Sequence, residues 1–304
     1  MRDRTVTIGA RRIELSNLDK LLFPASGITK GELVGYYRRI AGVALPHYRD
    51  RPLTMQRFPD GIGKEGFFQK DAPGHFPAWI DRVELGKKGG TVRHVVANDA
   101  ATLVYLANQG CITPHLGLAR ADRPDHPDRM ILDLDPSDGD FDKVRRAAKW
   151  AKALLDEIGL PSFVQTTGLR GLHVVVPLDR SAAFDEVREV ARRLAAHLAE
   201  RHCETLTVEQ RKERRGNRVF VDYLRNGYGQ TAVAPYAVRA IEGAPVATPI
   251  RWEEVDSARL GPRRTTIRTL FRRLGQTGDP WSAIAAAPTS LKAAKQWLCS
   301  PRGA

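Results

Sequence analysis

The sequence predicts a mixed α/β chain of the α+β kind, with a split βαβ half beginning near residue 130. Three observations point there. Between residues 130 and 223 the hydrophobic period switches in the order strand, helix, strand, strand, helix, strand. Upstream, a hairpin pattern and two amphipathic helices mark an N-terminal α/β half. No apolar run reaches membrane-spanning length, and 42% apolar against 27% charged residues is an ordinary globular balance.

Taken in order, VTIGARRIEL (6–15) reads as a short hairpin, and Ser16 as the cap of a helical turn with Asp19 three residues on. Thr29-Lys30-Gly31-Glu32 is a capping box before a helix carrying Leu33, Val34, Tyr36, Tyr37 and Ile40. A second helix spans residues 98–108 and stops near Gly110. MILDLD (130–135) is a strand. Residues 141–158 form a helix with Val144, Ala147, Ala148, Ala151, Leu154, Leu155 and Ile158 on one side, ended by Gly159 and Pro161. SFVQT (162–166) and LHVVVPL (172–178) are strands joined by the tight turn TGLRG. A helix over 184–199 follows, then strands over 218–223 and 232–238, and a basic helical portion from Arg251 that ends in a ragged SPRGA tail.

Charge is the informative bulk property. The 304 residues include 48 Lys plus Arg against 35 Asp plus Glu, a net +13. Such an excess suits a polyanionic partner, nucleic acid first among them. It clusters in RKERRGNR (211–218), RRTTIRTLFRR (263–273) and around Arg188–Arg193. Cys111, Cys203 and Cys299 are odd in number and widely spaced. They suggest neither a disulfide framework nor a zinc site and fit a reducing cytoplasm. MRDRTVTIGARR lacks the apolar stretch of a signal peptide, so the expected location is cytoplasmic, associated with the nucleoid and away from membranes.

The chemistry gathers on three strands. Side chains alternate along a strand, so Asp133 and Asp135 share a face with Ile131. By the same count His173 shares a face with Val175, and Asp222 with Phe220. If these strands are neighbours, three carboxylates and an imidazole meet at one end of a sheet. Like charges at a half-buried site repel unless a cation or proton lies between them. Carboxylates with phosphate and water oxygens suit Mg²⁺ or Mn²⁺ better than zinc, and two such ions can serve phosphoryl transfer. The turn TTGLRGLH (166–173) adds Thr167, Arg170 and His173, a donor set for triphosphate oxygens. Gly168 and Gly171 allow its backbone to approach a ligand closely. ILDLDPS superficially resembles the first motif of haloacid-dehalogenase-type phosphatases. That motif, however, wants Thr or Val where this chain has Ser137, and the late paired acids are missing.

Over roughly residues 5–255 the chain resembles the polymerase domain of bacterial ligase D, in the archaeo-eukaryotic primase superfamily. The resemblance rests on ordered motifs: LSNLDKLLFPASGITKGELVGYY (15–37), RPLTMQRFPDG (51–61), GFFQK (66–70), LDLDP (132–136), TTGLRGLHVVVPL (166–178), RVFVDYLRN (218–226) and TAVAPYAVRA (231–240). It implies a primase-polymerase fold in one catalytic domain, residues 1–304. An N-terminal α/β half with DNA-binding elements (about 1–125) would pack on an RNA-recognition-like catalytic half (about 126–250), followed by a basic helical extension (about 251–304).

By the same resemblance Asp133, Asp135 and Asp222 are the catalytic, metal-holding acids for two ions, Mn²⁺ or Mg²⁺. Arg57, His115, Thr167, Arg170, His173, Lys212, Arg215 and Arg239 contact the nucleotide. The family usually has Ser and Lys where this chain has Thr167 and Arg170, and Gln56 stands where some relatives have a basic residue. Lys20 and Lys30 match a pair that holds a downstream DNA 5′-phosphate, and Phe67 and Phe68 a pair that stacks on template bases. The implied activity is templated primer extension and gap filling at DNA double-strand breaks, with ribonucleotides preferred. The implied setting is non-homologous end joining beside a Ku-like protein and a DNA ligase. The alternative from another class is a DNA-end module that binds the 5′-phosphate with weak or no catalysis. Primer-independent priming is a third reading.

Overall fold

Helices in this chain start and stop where the backbone chemistry requires. Phe141–Ile158 is capped by Asp140, whose carboxylate accepts from the amides of Asp142 and Lys143, and it ends at Gly159 with φ 81°. Lys30–Tyr48 begins at Thr29 with the predicted capping box, closed reciprocally by Glu32. The structure, a computed structural model, describes residues 4–300; the end of the SPRGA tail lies outside the described residues. Two units emerge: Met1–Asp122 with Thr231–Ala247 and Thr265–Gln276, and Arg123–Gln230 with Thr248–Arg264 and Thr277–Ala304.

The second unit is built on a six-stranded sheet. In spatial order its strands are Leu206–Thr207, Val219–Asp222, Arg129–Pro136, Leu172–Pro177, Phe163–Thr166 and Pro249–Ile250. Arg129–Pro136 runs antiparallel to both neighbours. The four strands expected from sequence thus lie side by side as fourth, first, third and second, the split βαβ order. Met130, Leu132, Leu134, Leu172, Val174, Val176, Val219 and Val221 turn to one face. There they form a core with the Phe141–Ile158 and Phe184–Arg201 helices. Cutting a buried leucine such as Leu132 or Leu134 to alanine costs about 2–5 kcal/mol. The opposite face carries Asp133, Asp135, His173 and Asp222, so the packing of the helices decides where the chemistry points.

The first unit holds a wholly antiparallel sheet, ordered Thr231–Val233, Cys111–Gly117, Pro52–Arg57, Gly90–Val96 and Arg82–Lys87, with Phe67–Gln69 also paired to Pro52–Arg57. The Lys30–Tyr48 and Ala100–Asn108 helices supply its core. Two buried tyrosines on the longer helix donate to backbone carbonyls, Tyr36 to Tyr236 at 2.7 Å and Tyr37 to Ile112 at 2.6 Å. An Arg4–Ile8/Arg11–Leu15 hairpin precedes the rest.

Two expected elements differ. Ser16 caps no helical turn: Asn17 sits at φ 53° and the chain turns directly into the short strand Leu21–Phe23. The strand expected over 232–238 is only Thr231–Val233. Pro235 cannot donate to a ladder and Tyr236 adopts φ 64°, so the chain leaves the sheet there.

Candidate active site

Antiparallel pairing places Asp133 directly opposite Asp222 on one side and His173 on the other, and His173 in turn opposite Gln165. A single row of polar side chains therefore crosses four strands: Asp222, Asp133, His173, Gln165. Asp135 stands two residue pairs further along, on the same face, opposite Phe220. The expected meeting of Asp133, Asp135, Asp222 and His173 thus follows from register alone.

The row is held electrostatically. His173 Nε2 lies 3.6 Å from Asp133 Oδ1, and its Nδ1 is 3.2 Å from Gln165 Nε2. A carboxylate facing Nε2 favours a proton there. With the proton on Nε2, Nδ1 is an acceptor that the Gln165 amide can satisfy as donor. Arg225 Nε sits 3.7 Å from Asp133 Oδ2 and 3.6 Å from Asp222 Oδ2, between the paired acids. Asp222 Oδ1 accepts from the Leu224 amide at 2.7 Å. The Arg170 guanidinium donates to both oxygens of Asp135 at 3.1 and 3.0 Å.

Burial pushes the Asp135 carboxyl above the ordinary carboxylate range; Arg170 pulls against this and Asp133 adds to it. Burial, then the charge of Asp133, raise Asp222 in the same direction. At both acids burial outweighs the positive charge nearby. The Arg170–Asp135 pair does not cure this, because its side chains are 47% and 32% exposed and such a pair is worth about 0–1 kcal/mol.

Among the described residues, no three His, Cys, Asp or Glu side chains stand as a closed ligand cluster. Asp135 is engaged with Arg170 rather than aligned with the Asp133–Asp222 pair. The donor chemistry nevertheless fits a hard divalent ion. Three carboxylates lie on two adjacent strands, and two of them are destabilised in the charged form.

The TTGLRG turn is fastened to this row. Thr167 Oγ1 accepts from the amides of Leu169 and Gly171 at 3.3 and 3.2 Å, which spans the turn. Gly171 approaches the acid-bearing strand: a Cβ on it would lie 2.1 Å from the Leu134 carbonyl oxygen. Its role seen here is to bring the turn against the strand, and Gly168, at φ 70°, allows the reversal. Arg215 is buried, donates to the carbonyls of Glu209 and Gln210, and lies 3.8 Å over the Phe220 ring, beside Asp135. Lys212 opens the short 3₁₀ turn Lys212–Arg214 and is exposed.

The remaining candidates belong to the first unit. Arg57 donates to the Gln109 carbonyl and to Gln69 Oε1, faces Phe67 in register and lies 5.6 Å from its ring centroid. Phe68 is opposite Gln56 and meets His115 edge-on at 5.4 Å. Both phenylalanines are exposed, 46% and 61%, which core packing would not allow. Arg239 is half-buried, and its amide donates to the Pro245 carbonyl. Lys20 and Lys30 are brought together by a backbone bond, Lys30 N to Lys20 O at 2.8 Å. Lys20 Nζ reaches Asp60 at 2.6 Å, while Lys30 is buried at the first helical position.

Three residues escaped the sequence reading. Arg225 is three residues past Asp222 across a 3₁₀ turn, a spacing that could have flagged it. Gln165 needed the register. Asn226, fully buried, both accepts from the Ile131 amide and donates to its carbonyl, pinning the chain after Asp222 to the acid-bearing strand.

Comparison with known proteins agrees with this fold. The model of the LigD primase-polymerase domain matches residues 29–281. The chain is 35% identical over 294 residues to the multifunctional non-homologous end joining protein LigD of Pseudomonas aeruginosa, covering 96% of this chain and 34% of that protein. It is 32% identical over 271 residues to the LigD of Mycolicibacterium smegmatis, covering 88% and 35%. The chain therefore spans about a third of the length of these relatives. The polymerase domain of Mycobacterium tuberculosis ligase D, solved in complex with DNA, superposes with a TM-score of 0.86 at 30% identity over 91% of this chain and 99% of that one. The chain belongs to the LigD primase-polymerase domain family, whose members are DNA-directed nucleotidyltransferases.

Proposed function

We propose that this chain works as a single catalytic domain that extends a DNA primer against a template and fills gaps at double-strand breaks. The observation that carries this reading is the register pairing of Asp133 with Asp222, with Asp135 two residues along on the same face and His173 opposite. A protein that only binds DNA gains nothing from carboxylates gathered where phosphates would lie.

Asp133, Asp135 and Asp222 would hold two divalent ions, Mn²⁺ or Mg²⁺, which when bound would supply activation of the primer 3′-hydroxyl and charge for the departing pyrophosphate. No side-chain nucleophile is required, so positioning and charge carry the catalysis. Thr167, Arg170 and His173 receive the triphosphate. Arg170 exchanges Asp135 for phosphate oxygens, which its weak exposed pairing permits. Lys212 and Arg215 add positive charge beside Asp135, and the row through Gln165 holds the His173 ring in one orientation.

In the first unit, Arg57, His115 and Arg239 are nucleotide contacts. Phe67 and Phe68 stack on template bases, and Lys20 with Lys30 holds the downstream 5′-phosphate. Ribonucleotides are the preferred substrates. The biological setting is non-homologous end joining, alongside a Ku-like protein and a DNA ligase. Extension of a gapped duplex with a downstream 5′-phosphate, with ribonucleotides and deoxynucleotides in separate reactions, tests the reading. Templated addition supports it; binding without addition to either nucleotide rejects it.

A further inference from the structure

Outside the acid row, the second unit has a pocket of about 630 Å³, lined among others by Gly139, Leu169, Arg170, Arg259, Arg263 and Arg264. Four of its ten lining residues are arginines and none is acidic. Elsewhere in this unit basic side chains find carboxylates: Lys143 with Asp138, Lys149 with Asp256, Lys152 with Asp156, Arg192 with Glu189 and Lys295 with Glu186. Arg259, Arg263 and Arg264 find none among the described residues. Arg263 Nε donates to the Leu169 carbonyl at 2.8 Å, and Arg264 Nη1 to the Arg259 carbonyl at 2.7 Å. These bonds shape the loop and leave its charge uncompensated. Gathering like charges around one pocket is unfavourable without an anion.

The pocket also has a direction. Arg263 ties its loop to Leu169, next to Arg170, and Arg170 reaches Asp135. An anion in the pocket would therefore lie beside Arg170, the side chain that also reaches Asp135. Guanidinium groups match phosphate oxygens in forked geometry.

We propose that Arg259, Arg263 and Arg264, with Arg170, form a second phosphate subsite continuous with the catalytic centre. Its ligand is a chain of phosphate oxygens, supplied either by departing pyrophosphate or by the backbone of a DNA strand. The proposal rests on the nucleotidyl-transfer reading only for the source of that phosphate, not for binding.

The test is binding without metal, in a chelating buffer, so loss of catalysis cannot imitate the result. The probes are inorganic pyrophosphate and a single-stranded DNA of about 12 nucleotides. The variant is the combined Arg259→Gln, Arg263→Gln and Arg264→Gln. The control is Arg146→Gln, Arg201→Gln and Lys292→Gln, three exposed basic residues of the same unit that remove the same net charge elsewhere. The pocket variant should lose about tenfold or more affinity for at least one probe. For DNA, the slope of log affinity against log salt should fall in magnitude by about 2. The control should change less than about threefold. Loss for pyrophosphate alone assigns the leaving-group side, and loss for DNA alone assigns the strand. Should the triple variant lose its fold, Arg259→Gln alone suffices, because that side chain bonds to nothing among the described residues; about threefold loss is expected. Affinity unchanged for both probes, or lost equally in the control, overturns the proposal.

Discussion

Asp133 and Asp222 face each other across adjacent antiparallel strands, with the Arg225 guanidinium nitrogen 3.7 and 3.6 Å from their carboxylates. Burial and the charge of Asp133 nevertheless hold the Asp222 carboxyl above its ordinary range. That raised carboxyl links the stability of the chain to its chemistry.

Asp222→Asn should therefore stabilise the metal-free protein at pH 7, by about 0.5–2 kcal/mol, while abolishing extension. The asparagine oxygen can keep the bond from the Leu224 amide. The sign follows from the raised carboxyl: the native state holds its proton more tightly than the unfolded chain does. Stability from this group is present at low pH and is lost as pH rises from the unfolded towards the raised folded value. Asp135 acts in the same direction. Thermal melts of wild type and variant should converge as pH falls, and a variant less stable at pH 7 would contradict this account.

How much of this could be read without the structure depends on the distance over which each fact is decided. Asp133, Asp135 and Asp222 were legible because alternation along one strand is local. The helix Phe141–Ile158 was legible because its period and its Gly159 stop are local too. Gln165, Arg225 and Asn226 were not, since their roles depend on which strands become neighbours across tens of residues. The shortened Thr231–Val233 strand shows the same limit. Its apolar run continues, but Pro235 and the left-handed Tyr236 end the pairing, and the strand joins the sheet of Cys111–Gly117 rather than the acid-bearing one.

Gly171→Ala should be severe. The added methyl carbon meets the Leu134 carbonyl, a backbone atom with no rotamer to escape through. A loss of about 1–3 kcal/mol is expected in urea unfolding, with extension lost as the turn shifts from the acids. A stability equal to wild type would show that the turn can move away freely.

Gln165→Leu removes the amide that faces His173 Nδ1 and keeps an apolar side chain of similar size. Folding should persist, with kcat falling several-fold to about tenfold, the worth of one buried hydrogen bond. Nitrogen NMR of the imidazole should show a mixture of tautomers where wild type shows the Nε2–H form. An unchanged tautomer and unchanged kcat would remove Gln165 from the positioning role.

Lys20→Ala should leave binding to a gapped duplex with a 5′-hydroxyl unchanged and weaken binding to the 5′-phosphate form by about tenfold, one charge-assisted contact. Phe68→Ala should instead weaken both forms alike, by about 1–3 kcal/mol, through lost base stacking. Competition binding with the two duplexes separates the effects. Equal loss on both duplexes for Lys20→Ala would place the phosphate elsewhere.

The most direct test of the central claim is templated extension of a 5′-phosphorylated gapped duplex with Mn²⁺, comparing wild type with Asp133→Ala. The account predicts addition by the wild type, greater with ribonucleotides than with deoxynucleotides. It predicts no addition by Asp133→Ala, whose DNA affinity stays within about twofold of wild type. Extension by Asp133→Ala at the wild-type rate would contradict it, because the residue at the centre of the row would then take no part in the reaction.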